Sequence, residues 1–292
     1  MKYAFIAAHS REYPVRRMCE VLKVSPSGYY DWLKRTPSQR QQANTQLLEA
    51  IRQEYAASRQ TYGSPRIHAA LQQQGMQVGR QRVARLMHVH GLVGKRARRK
   101  HPVTTQRAPA ALVAPNLLAQ DFTATRPDEK WLADITYIET GEGWLYLAVV
   151  LDLFSRMIVG WSMTDHLNAR LVEQALQMAF GRRFPQGELV HHSDRGSQYT
   201  SAVVQHLLAM HHIQVSMSGA GNCYDNAPME SFIGTLKAEA LSDLPATRAD
   251  ARRVVFHYIE VWYNRQRLHS SLGYLSPLAF ERLYADEINT VR

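Results

Sequence analysis

Cysteine is nearly absent from this chain of 292 residues, and its scarcity excludes two classes of small protein. The two cysteines, Cys19 and Cys223, lie far apart in different segments. A disulfide framework and a cysteine-rich zinc finger both need more cysteines at closer spacing, so neither is possible here. We interpret both residues as reduced thiols of a cytosolic protein.

The sequence also lacks a long hydrophobic run. Its most apolar segment, residues 144–154, is too short to span a bilayer and contains Asp152. Residues 1–14 contain no apolar core of the kind found in a signal peptide. We therefore predict a soluble, cytoplasmic protein that has no membrane partner.

Acidic residues are scarce in the first 120 residues, which hold 20 Lys and Arg but only 5 Asp and Glu. The remaining residues hold 15 basic and 20 acidic side chains, so the net charge of +10 arises from the front of the chain. This segregation predicts a module that grips DNA, joined to a module that uses carboxylates. A soluble protein with basic loops is the alternative explanation.

Two short helices are predicted near the start of the chain, at residues 15–22 and 28–35, with Ser27 as the cap of the second. A tight turn joins them, which is the pattern of a helix-turn-helix unit. An ordinary helical hairpin fits the pattern about as well. We assign this N-terminal unit to residues 1–37.

A second helical, DNA-binding unit is predicted at residues 38–101, and it ends in the basic sequence KRARRKH. Its amphipathic segments indicate helices at residues 44–57, 66–74 and 79–90, with Ser64 as an N-cap before Pro65. Phosphate contacts are expected from the outward face of the third helix and from the basic run. These candidate DNA-binding residues are Arg80, Arg82, Arg85, Lys95, Arg96, Arg98, Arg99 and Lys100. A merely solvated charge run is the other interpretation.

The rest of the chain is predicted to be a linker at residues 102–125 and a catalytic domain at residues 126–292. The predicted strands are residues 130–139, 144–153, 156–163, 189–193 and 213–217. The predicted helices are residues 169–180, 202–211, 227–241 and 248–263, before a polar tail. The first three strands form an antiparallel meander, whereas the later helices require parallel crossovers. The predicted fold class is α/β, with a mixed five-stranded sheet and flanking helices after the all-α units.

Three carboxylates in this domain have the features of a metal site. Asp134 lies inside an apolar strand, where an unpaired acid is unfavourable. Asp194 ends the fourth predicted strand, at the edge where α/β sheets place ligands. Glu230 follows in the first turn of a helix, after 35 intervening residues. Because Mg²⁺ prefers oxygen ligands and a pair of such ions promotes phosphodiester chemistry, we predict two Mg²⁺ ions here, with Mn²⁺ as a substitute.

A cation and a further carboxylate compete for roles beside this triad. Lys237 lies two helical turns after Glu230 on the same face, where it either holds a DNA phosphate or is a surface lysine. Asp152 is interpreted as a structural acid paired with Arg156 and not as a ligand.

Four other titratable residues are assigned roles outside the metal site. Asp225 is interpreted as a loop or cap residue, and Glu239 as a solvated one. His191 and His192 have no third zinc ligand at suitable spacing. One of this pair is therefore expected to be a core histidine or to support a ligand from behind.

The chain resembles the OrfB-type transposases of two-frame bacterial insertion sequences, which are DDE enzymes with a retroviral-integrase-like core. The resemblance covers nearly the whole chain and is carried by WLADIT at residues 131–136, HSDRGSQY at 192–199, GNCYDNAPMESF at 221–232 and YNRQRLHSSLGY at 263–274. On these motifs Asp134, Asp194 and Glu230 match the family triad, including its spacing. Lys237 matches a basic position that is common after the family's glutamate.

This resemblance implies an RNase H-like fold and metal-dependent cleavage at the ends of a mobile element, followed by joining of the 3′ ends to target DNA. The implied partners are double-stranded DNA (the terminal inverted repeats and the target), further copies of the chain, and an upstream first-frame protein or a fusion to it. The implied location is the bacterial nucleoid. A DNA-binding regulator with an inactive core and an RNase H-like nuclease without strand transfer are the rival functions.

Overall fold

The computed structural model describes residues 1–95, 114–185, 187–219 and 223–291, with a helical front part and a sheet covered by helices behind it. The front helices are α1 Lys2–Ala8, α2 Val15–Val21, α3 Pro26–Lys34, α4 Gln39–Ala57, α5 Ser64–Gln73 and α6 Arg80–Val89. The strands are β1 Lys130–Thr140, β2 Gly143–Asp152, β3 Ile158–Thr164, β4 Val190–Ser193 and β5 Gln214–Met217. The helices of the back part are α7 Ala169–Arg183, α8 Ala202–Met210, α9 Ala227–Glu239, α10 Arg248–Phe256 and α11 Pro277–Val291.

The first three helices enclose a small core of their own. Its buried members are Ile6, Met18, Cys19 and Tyr29. The predicted cap of α3 was wrong, because Ser25 and not Ser27 accepts the backbone N–H of Gly28, at 2.9 Å. Pro26 then occupies the first helical turn, where its missing N–H is not needed.

Helices α4, α5 and α6 pack together through one apolar stripe each. The buried residues of these stripes are Leu47, Ile51, Ile67, Leu71, Val83, Leu86 and Met87. Helix α4 begins five residues earlier than predicted because Ser38 caps it, accepting the N–H of Gln41 at 3.2 Å. Ser64 is the first residue of α5, so Gly63 and not Ser64 occupies the N-cap position.

The five strands form one sheet in the order β3-β2-β1-β4-β5. The first three strands pair antiparallel, whereas β4 pairs parallel with β1 and β5 pairs parallel with β4. Both halves of the predicted topology are therefore confirmed. Strand β1 lies at the centre of the sheet, and β2 is buried on both faces from Leu147 onward, as its continuous apolar sequence indicates.

Helix α7 lies against β2 and β3 at a distance set by a glycine. A Cβ atom added to Gly160 on β3 would lie 2.2 Å from the carbonyl oxygen of Ala175, so only glycine allows this approach. On this layer the side chain of Asn168 caps α7 and that of Ser201 caps α8. This packing buries one side of the sheet.

The C-terminal segment is more ordered than its polar sequence suggests. Helix α10 continues into a π-helical stretch, His257–Tyr263. The predicted polar tail was wrong, because α11 forms there and its Phe280 and Tyr284 rings contact Phe154 after β2. Glu281 of α11 also pairs with Arg183, with an Nη1–Oε2 distance of 2.7 Å. These contacts give the helix an apolar and an ionic attachment to the sheet domain.

The unit of α4, α5 and α6 docks directly on this C-terminal segment. The rings of Tyr62 and Trp262 lie 5.6 Å apart, and the Tyr62 hydroxyl accepts the backbone N–H of Leu268 at 2.7 Å. Arg66 donates its Nε–H to the carbonyl oxygen of Leu268 at 2.8 Å. The two parts share one continuous hydrophobic cluster. None of the helices in the described ranges is long and apolar enough to cross a membrane.

Two glycine substitutions test the packing of α7 and are matched chemically. Gly160→Ala is expected to lower the free energy of unfolding by about 1–3 kcal/mol, because backbone must move to admit the methyl group. A Cβ atom added to Gly181, which lies in α7, meets nothing within 4 Å, so Gly181→Ala is expected to raise the free energy of unfolding by about 1 kcal/mol. Urea unfolding measures both, and equal effects of the two substitutions would contradict the close approach.

Candidate active site

Asp134 lies near the middle of β1, where it is partly exposed and opposite Val149 of β2. Its Oδ1 atom accepts the backbone N–H of Ile135 at 2.8 Å. Alternation along the strand explains this position, since the neighbouring Ala133 is buried among apolar residues on the other face. The strand therefore holds a carboxylate at the centre of the sheet.

Asp194 reaches the same place because β4 runs parallel to β1. The pairing register sets Leu132 beside His192, and Asp194 follows the end of β4, near enough to Asp134 to raise the pKa of its carboxyl. The Oδ1 atom of Asp194 accepts the backbone N–H of Gly196 at 2.9 Å, which fixes the turn after the strand. The predicted position of Asp194 at the end of the fourth strand is confirmed.

Glu230 comes from the first turn of α9, which packs against β1. The start of this helix is tied to the strand by Asn226, whose amide donates to the carbonyl oxygen of Ala133 at 3.3 Å. Asn226 occupies the N-cap position of α9, but its side chain makes no capping bond and binds the residue before Asp134 instead. Sequence patterns missed this role because the partner lies 93 residues away.

The three acids interact electrostatically. Burial raises the pKa of the Asp134 carboxyl to about 7, and the charges of Asp194 and Glu230 act in the same direction. The N–H of Ile135 and the ammonium of Lys237 oppose them. A concentration of negative charge in a poorly solvated place is unstable without a cation, so the donor set fits a divalent ion.

The acids do not close a complete cage around that position. Within the described ranges, no three His, Cys, Asp or Glu side chains stand close enough together to hold a metal ion by themselves. This is compatible with Mg²⁺, which retains waters and is usually held by one or two carboxylates and substrate phosphates.

Two further side chains belong to the surroundings of the acids. Lys237 is near enough to Asp134 that the carboxylate raises the pKa of its ammonium, against the larger lowering effect of desolvation. Tyr199 is buried, and its hydroxyl has no hydrogen-bond partner in the part of the chain that is described. Burial, Asp134 and Asp194 raise its pKa well above the usual value. Only its place in the HSDRGSQY motif signalled Tyr199 in the sequence.

The paired histidines are core residues. His192 is fully buried and bonds Ser216 through Nδ1 at 2.8 Å and Ser218 through Nε2 at 3.0 Å. Burial lowers the pKa of His191 to about 4, so its imidazole is neutral at physiological pH. Both histidines are therefore core residues, which is one of the two roles that the sequence predicts for this pair.

The competing acids have structural partners. Asp152 accepts backbone N–H bonds from Asp128 at 2.7 Å and Ser155 at 3.0 Å, which agrees with a structural role. Together with the Ser155 hydroxyl, which donates to Oδ1 at 3.3 Å, these backbone groups, and not the predicted Arg156, are the hydrogen-bond partners of Asp152 among the described residues. Asp225 is buried and accepts the N–H of Gly219 at 2.7 Å, as a loop residue would.

The prediction that Glu239 is solvated was wrong. Glu239 is buried and forms a two-pronged ion pair with Arg267, with Oε1–Nη2 and Oε2–Nε distances of 2.8 and 2.9 Å. The Tyr258 hydroxyl also donates to it at 2.9 Å. The partner Arg267 lies 28 residues further along the chain, so helical periodicity alone could not reveal the pair.

The candidate DNA contacts of the helical unit differ in their surroundings. Arg80 and Arg85 are exposed, whereas Arg82 is half-buried and donates to the Asn44 side chain at 2.9 Å. Lys95 donates to the hydroxyl of Ser242 at 3.1 Å and so contacts the sheet domain. The remaining candidates lie outside the described residues; they are Arg96, Arg98, Arg99 and Lys100.

Family models match most of the chain. An HTH-like domain matches residues 42–100, and two models described as integrase core domain match residues 124–223 and 211–277. The first covers the unit of α4, α5 and α6. The integrase models contain all three acids, and their matches confirm an RNase H-like, integrase-type fold for the sheet domain.

Relatives of known family align along nearly the full length. The transposase InsF for insertion sequence IS3A of Escherichia coli (strain K12) is 45% identical over 284 residues, which cover 96% of this chain and 98% of the relative. The insertion element IS600 uncharacterized 31 kDa protein of Shigella sonnei is 45% identical over 268 residues, covering 91% of this chain and 98% of that protein.

Solved structures show a more distant likeness. The simian T-cell lymphotropic virus intasome, in complex with PP2A regulatory subunit B56 gamma, matches with a TM-score of 0.45 at 17% identity. That match covers 73% of this chain and 69% of the other. The HTLV-2 integrase catalytic core domain in complex with magnesium matches with a TM-score of 0.42 at 17% identity, over 55% of this chain and 99% of that one.

The family assignment rests on the sequence relatives and the domain models, since both structural likenesses have TM-scores below 0.5. An HTH-like domain precedes an integrase core, and near-complete relatives at 45% identity share the whole arrangement. The chain belongs to the IS3 family of insertion-sequence transposases, as an OrfB-type protein with the integrase-type core of a polynucleotidyl transferase.

Proposed function

We propose that this transposase uses Asp134, Asp194 and Glu230 to bind divalent metal, cleave DNA at the ends of its insertion sequence and transfer the 3′ ends to target DNA. The single observation that supports it best is the raised pKa of Asp134, to which Asp194 and Glu230 contribute. Acids from β1, β4 and α9 act on one another there. Such mutual repulsion is typical of carboxylates whose counter-ion is a metal.

The donor set favours two Mg²⁺ ions, with Mn²⁺ as a substitute, because all three ligands are carboxylate oxygens. When bound, the metal activates the attacking oxygen and stabilises the leaving oxygen of the phosphodiester. The strands fix Asp134 and Asp194 by backbone pairing, and Glu230 approaches from α9. Lys237 is positioned to hold a DNA phosphate beside the acids.

The front of the chain supplies the grip on double-stranded DNA, both terminal inverted repeats and target. We assign N-terminal and second DNA-binding units to residues 1–37 and 38–101, a linker to residues 102–125 and the catalytic domain to residues 126–292. The exposed Arg80 and Arg85 are available for phosphate contacts, whereas Arg82 and Lys95 already bond within the protein. The basic run after Lys95 extends the same charge.

Assembly on DNA completes the proposal. Cutting and joining two ends of an element requires further copies of the chain on the DNA. An upstream first-frame protein, or a frameshift fusion to it, is proposed to contribute recognition of the terminal repeats. The expected place of action is the nucleoid in the cytoplasm.

Glu230→Gln is expected to abolish cleavage and joining while leaving DNA affinity near that of the wild type, because it removes a metal ligand and no DNA contact. The assay incubates the purified chain with a labelled DNA end of the element, with and without Mg²⁺. Glu287→Gln, the same change on exposed α11, is the matched control and should retain activity.

The products of that assay separate the rival functions. Cleaved and joined products support a transposase, and cleaved products alone support a nuclease without strand transfer. If the chain binds DNA but forms no products, the assay is repeated with the chain combined with the upstream protein. Wild-type activity in Glu230→Gln would remove this residue from the metal site.

Asp134→Asn is expected to stabilise the metal-free protein at alkaline pH. The folded state keeps a proton on Asp134 up to about pH 7, whereas the unfolded chain loses it near its ordinary value of 3.8. The folded wild type therefore loses stability as pH rises between these values, by at most about 4 kcal/mol, and the variant does not.

Thermal unfolding in a chelator at about pH 4 and about pH 8 measures this difference. The variant should unfold at a higher temperature than the wild type at the alkaline pH only. Asp152 also has a raised pKa, of about 6, but it is present in both proteins and cancels. Adding Mg²⁺ should then stabilise the wild type and not the variant; equal pH profiles would contradict the burial of Asp134.

Reversing the charge of Arg96, Arg98, Arg99 and Lys100 is expected to weaken DNA binding and to flatten its dependence on salt, since phosphate contacts release counterions. Lys95 is left unchanged because it bonds Ser242 in the sheet domain. Fluorescence anisotropy over a salt series measures the slope, and an unaltered slope would show that the run does not touch phosphate.

A further inference from the structure

A cleft of about 370 Å³ lies where the HTH-like unit meets the sheet domain. Its walls come from α5, from the turn between β2 and β3, from α9 and from residues 263–271. The polar lining includes Arg66, Arg156, Arg267, His269, Ser231 and Thr235. No acidic residue lines it among the described parts of the chain. The cleft therefore collects positive charge from three separate segments: α5, the turn after β2 and residues 263–271.

Two of its three arginines are already engaged. Arg267 pairs with the buried Glu239, and its Nε and Nη2 atoms lie within 3.2 Å of the carboxylate oxygens. Arg66 donates to the carbonyl oxygen of Leu268 and lies over the ring of Tyr62 at 5.7 Å. A carbonyl and a ring satisfy donors but do not neutralise the charge of Arg66.

Arg156 is the exception. Its Nη1 atom is buried and has no hydrogen-bond partner within the described ranges. The residue also sits at a φ of 61°, in the left-handed region that non-glycine residues rarely adopt. Asp152 acts on it only at a distance, because the Asp152 oxygens accept backbone N–H groups of Asp128 and Ser155. A buried guanidinium donor held in this way is costly unless a ligand accepts from it.

His269 gives a second unpartnered group in the same cleft. Its Nε2 atom is buried and, in the part of the chain that is described, has no hydrogen-bond partner. Burial and then Arg267, Arg66 and Arg156 lower its pKa to about 2, so the ring is neutral beside three cations. A neutral imidazole remains able to donate one hydrogen bond. The hydroxyls of Ser231, Ser270 and Ser271 supply further donors, whereas the Thr235 hydroxyl already donates to the carbonyl oxygen of Ser231 at 2.7 Å.

We propose that this cleft is a phosphate site, in which Arg156, Arg66 and His269 hold one backbone phosphate of the bound DNA. Planar guanidinium groups match the geometry of phosphate oxygens, and an anion would compensate the charge that the protein leaves unpaired. The proposal builds on the DNA activity proposed above but concerns binding, not chemistry.

The cleft lies beside α9, the helix that also carries Glu230, so a phosphate bound there would lie close to the acidic site. Ser231 and Thr235 of α9 line the cleft, whereas Glu230 and Lys237 of the same helix interact electrostatically with Asp134. A backbone phosphate in the cleft is therefore held against one face of the helix whose other face contributes to the acidic site. Through α5, the same phosphate also contacts the HTH-like unit.

Arg156→Gln is expected to weaken DNA binding about tenfold at low salt and to reduce the slope of log affinity against log salt by about 0.9, the share of one phosphate contact. The probe is a fluorescein-labelled duplex carrying one end of the element, followed by anisotropy. Arg282→Gln on exposed α11 removes the same charge away from the cleft and should leave the slope unchanged. Arg156→Lys should recover part of the affinity.

The DNA-free variants distinguish a ligand site from a structural arginine. Because the charge lacks a partner in the protein, Arg156→Gln is expected to unfold at the wild-type temperature or above it. A lower unfolding temperature in the DNA-free state would make Arg156 structural and overturn the proposal, as would an unchanged salt slope. Inorganic phosphate, added at constant ionic strength, tests whether the cleft binds free phosphate instead of DNA. Thermal stabilisation by phosphate, with the same salt slope of DNA binding in Arg156→Gln and the wild type, would also overturn the proposal.

Failure of the catalytic proposal stays separate from failure of this one. Glu230→Gln should bind DNA with the wild-type salt slope, so a chain that does not cut DNA still reports on the cleft. If Arg156→Gln and Arg282→Gln give the same salt slope of DNA binding, only the proposal for the cleft fails.

Discussion

A carboxylate near the middle of the central strand is the constraint on which this structure depends. Desolvation raises the pKa of the Asp134 carboxyl to about 7, and the charges of its neighbours Asp194 and Glu230 act in the same direction. The sheet topology brings the acids together. Strand β2 pairs with β1 on one side of Asp134, and parallel β4 on the other side leads to Asp194. Asn226 then ties α9, and with it Glu230, to the residue preceding Asp134. The folded state thereby brings the three acids near one another, as the proposed cation site requires.

Much of this could be predicted from local sequence, because the elements that carry the acids have strong local signals. The unbroken apolar run of β2 and the alternation of later strands with helices indicate the strand directions, and Asp134 and Asp194 follow from their places in and after the strands. The features that were missed depend on distant partners. Glu239 has the polarity of a surface residue until Arg267 is brought against it. Helix α11 was missed, although Phe280 and Tyr284, whose rings meet Phe154, are spaced one helical turn apart.

The same long-range contacts join the DNA-binding and catalytic parts. Tyr62 and Arg66 of the HTH-like domain bind the segment around Leu268, and Arg267 beside it is neutralised by Glu239 at the end of α9. The motif YNRQRLHSSLGY thus acquires a physical role, since it is the surface on which the two domains meet. The charges of Arg66 and Arg156, which line the cleft beside this motif, are not neutralised by the protein, so a DNA phosphate is a fitting occupant of the cleft.

The most direct test of the central claim is anomalous diffraction from crystals of this chain soaked in Mn²⁺. The account predicts metal peaks coordinated by the carboxylates of Asp134 and Asp194, with Glu230 completing the site, and loss of those peaks in Asp134→Asn. Absence of metal between these residues at saturating Mn²⁺, or peaks that survive the substitution, would contradict it.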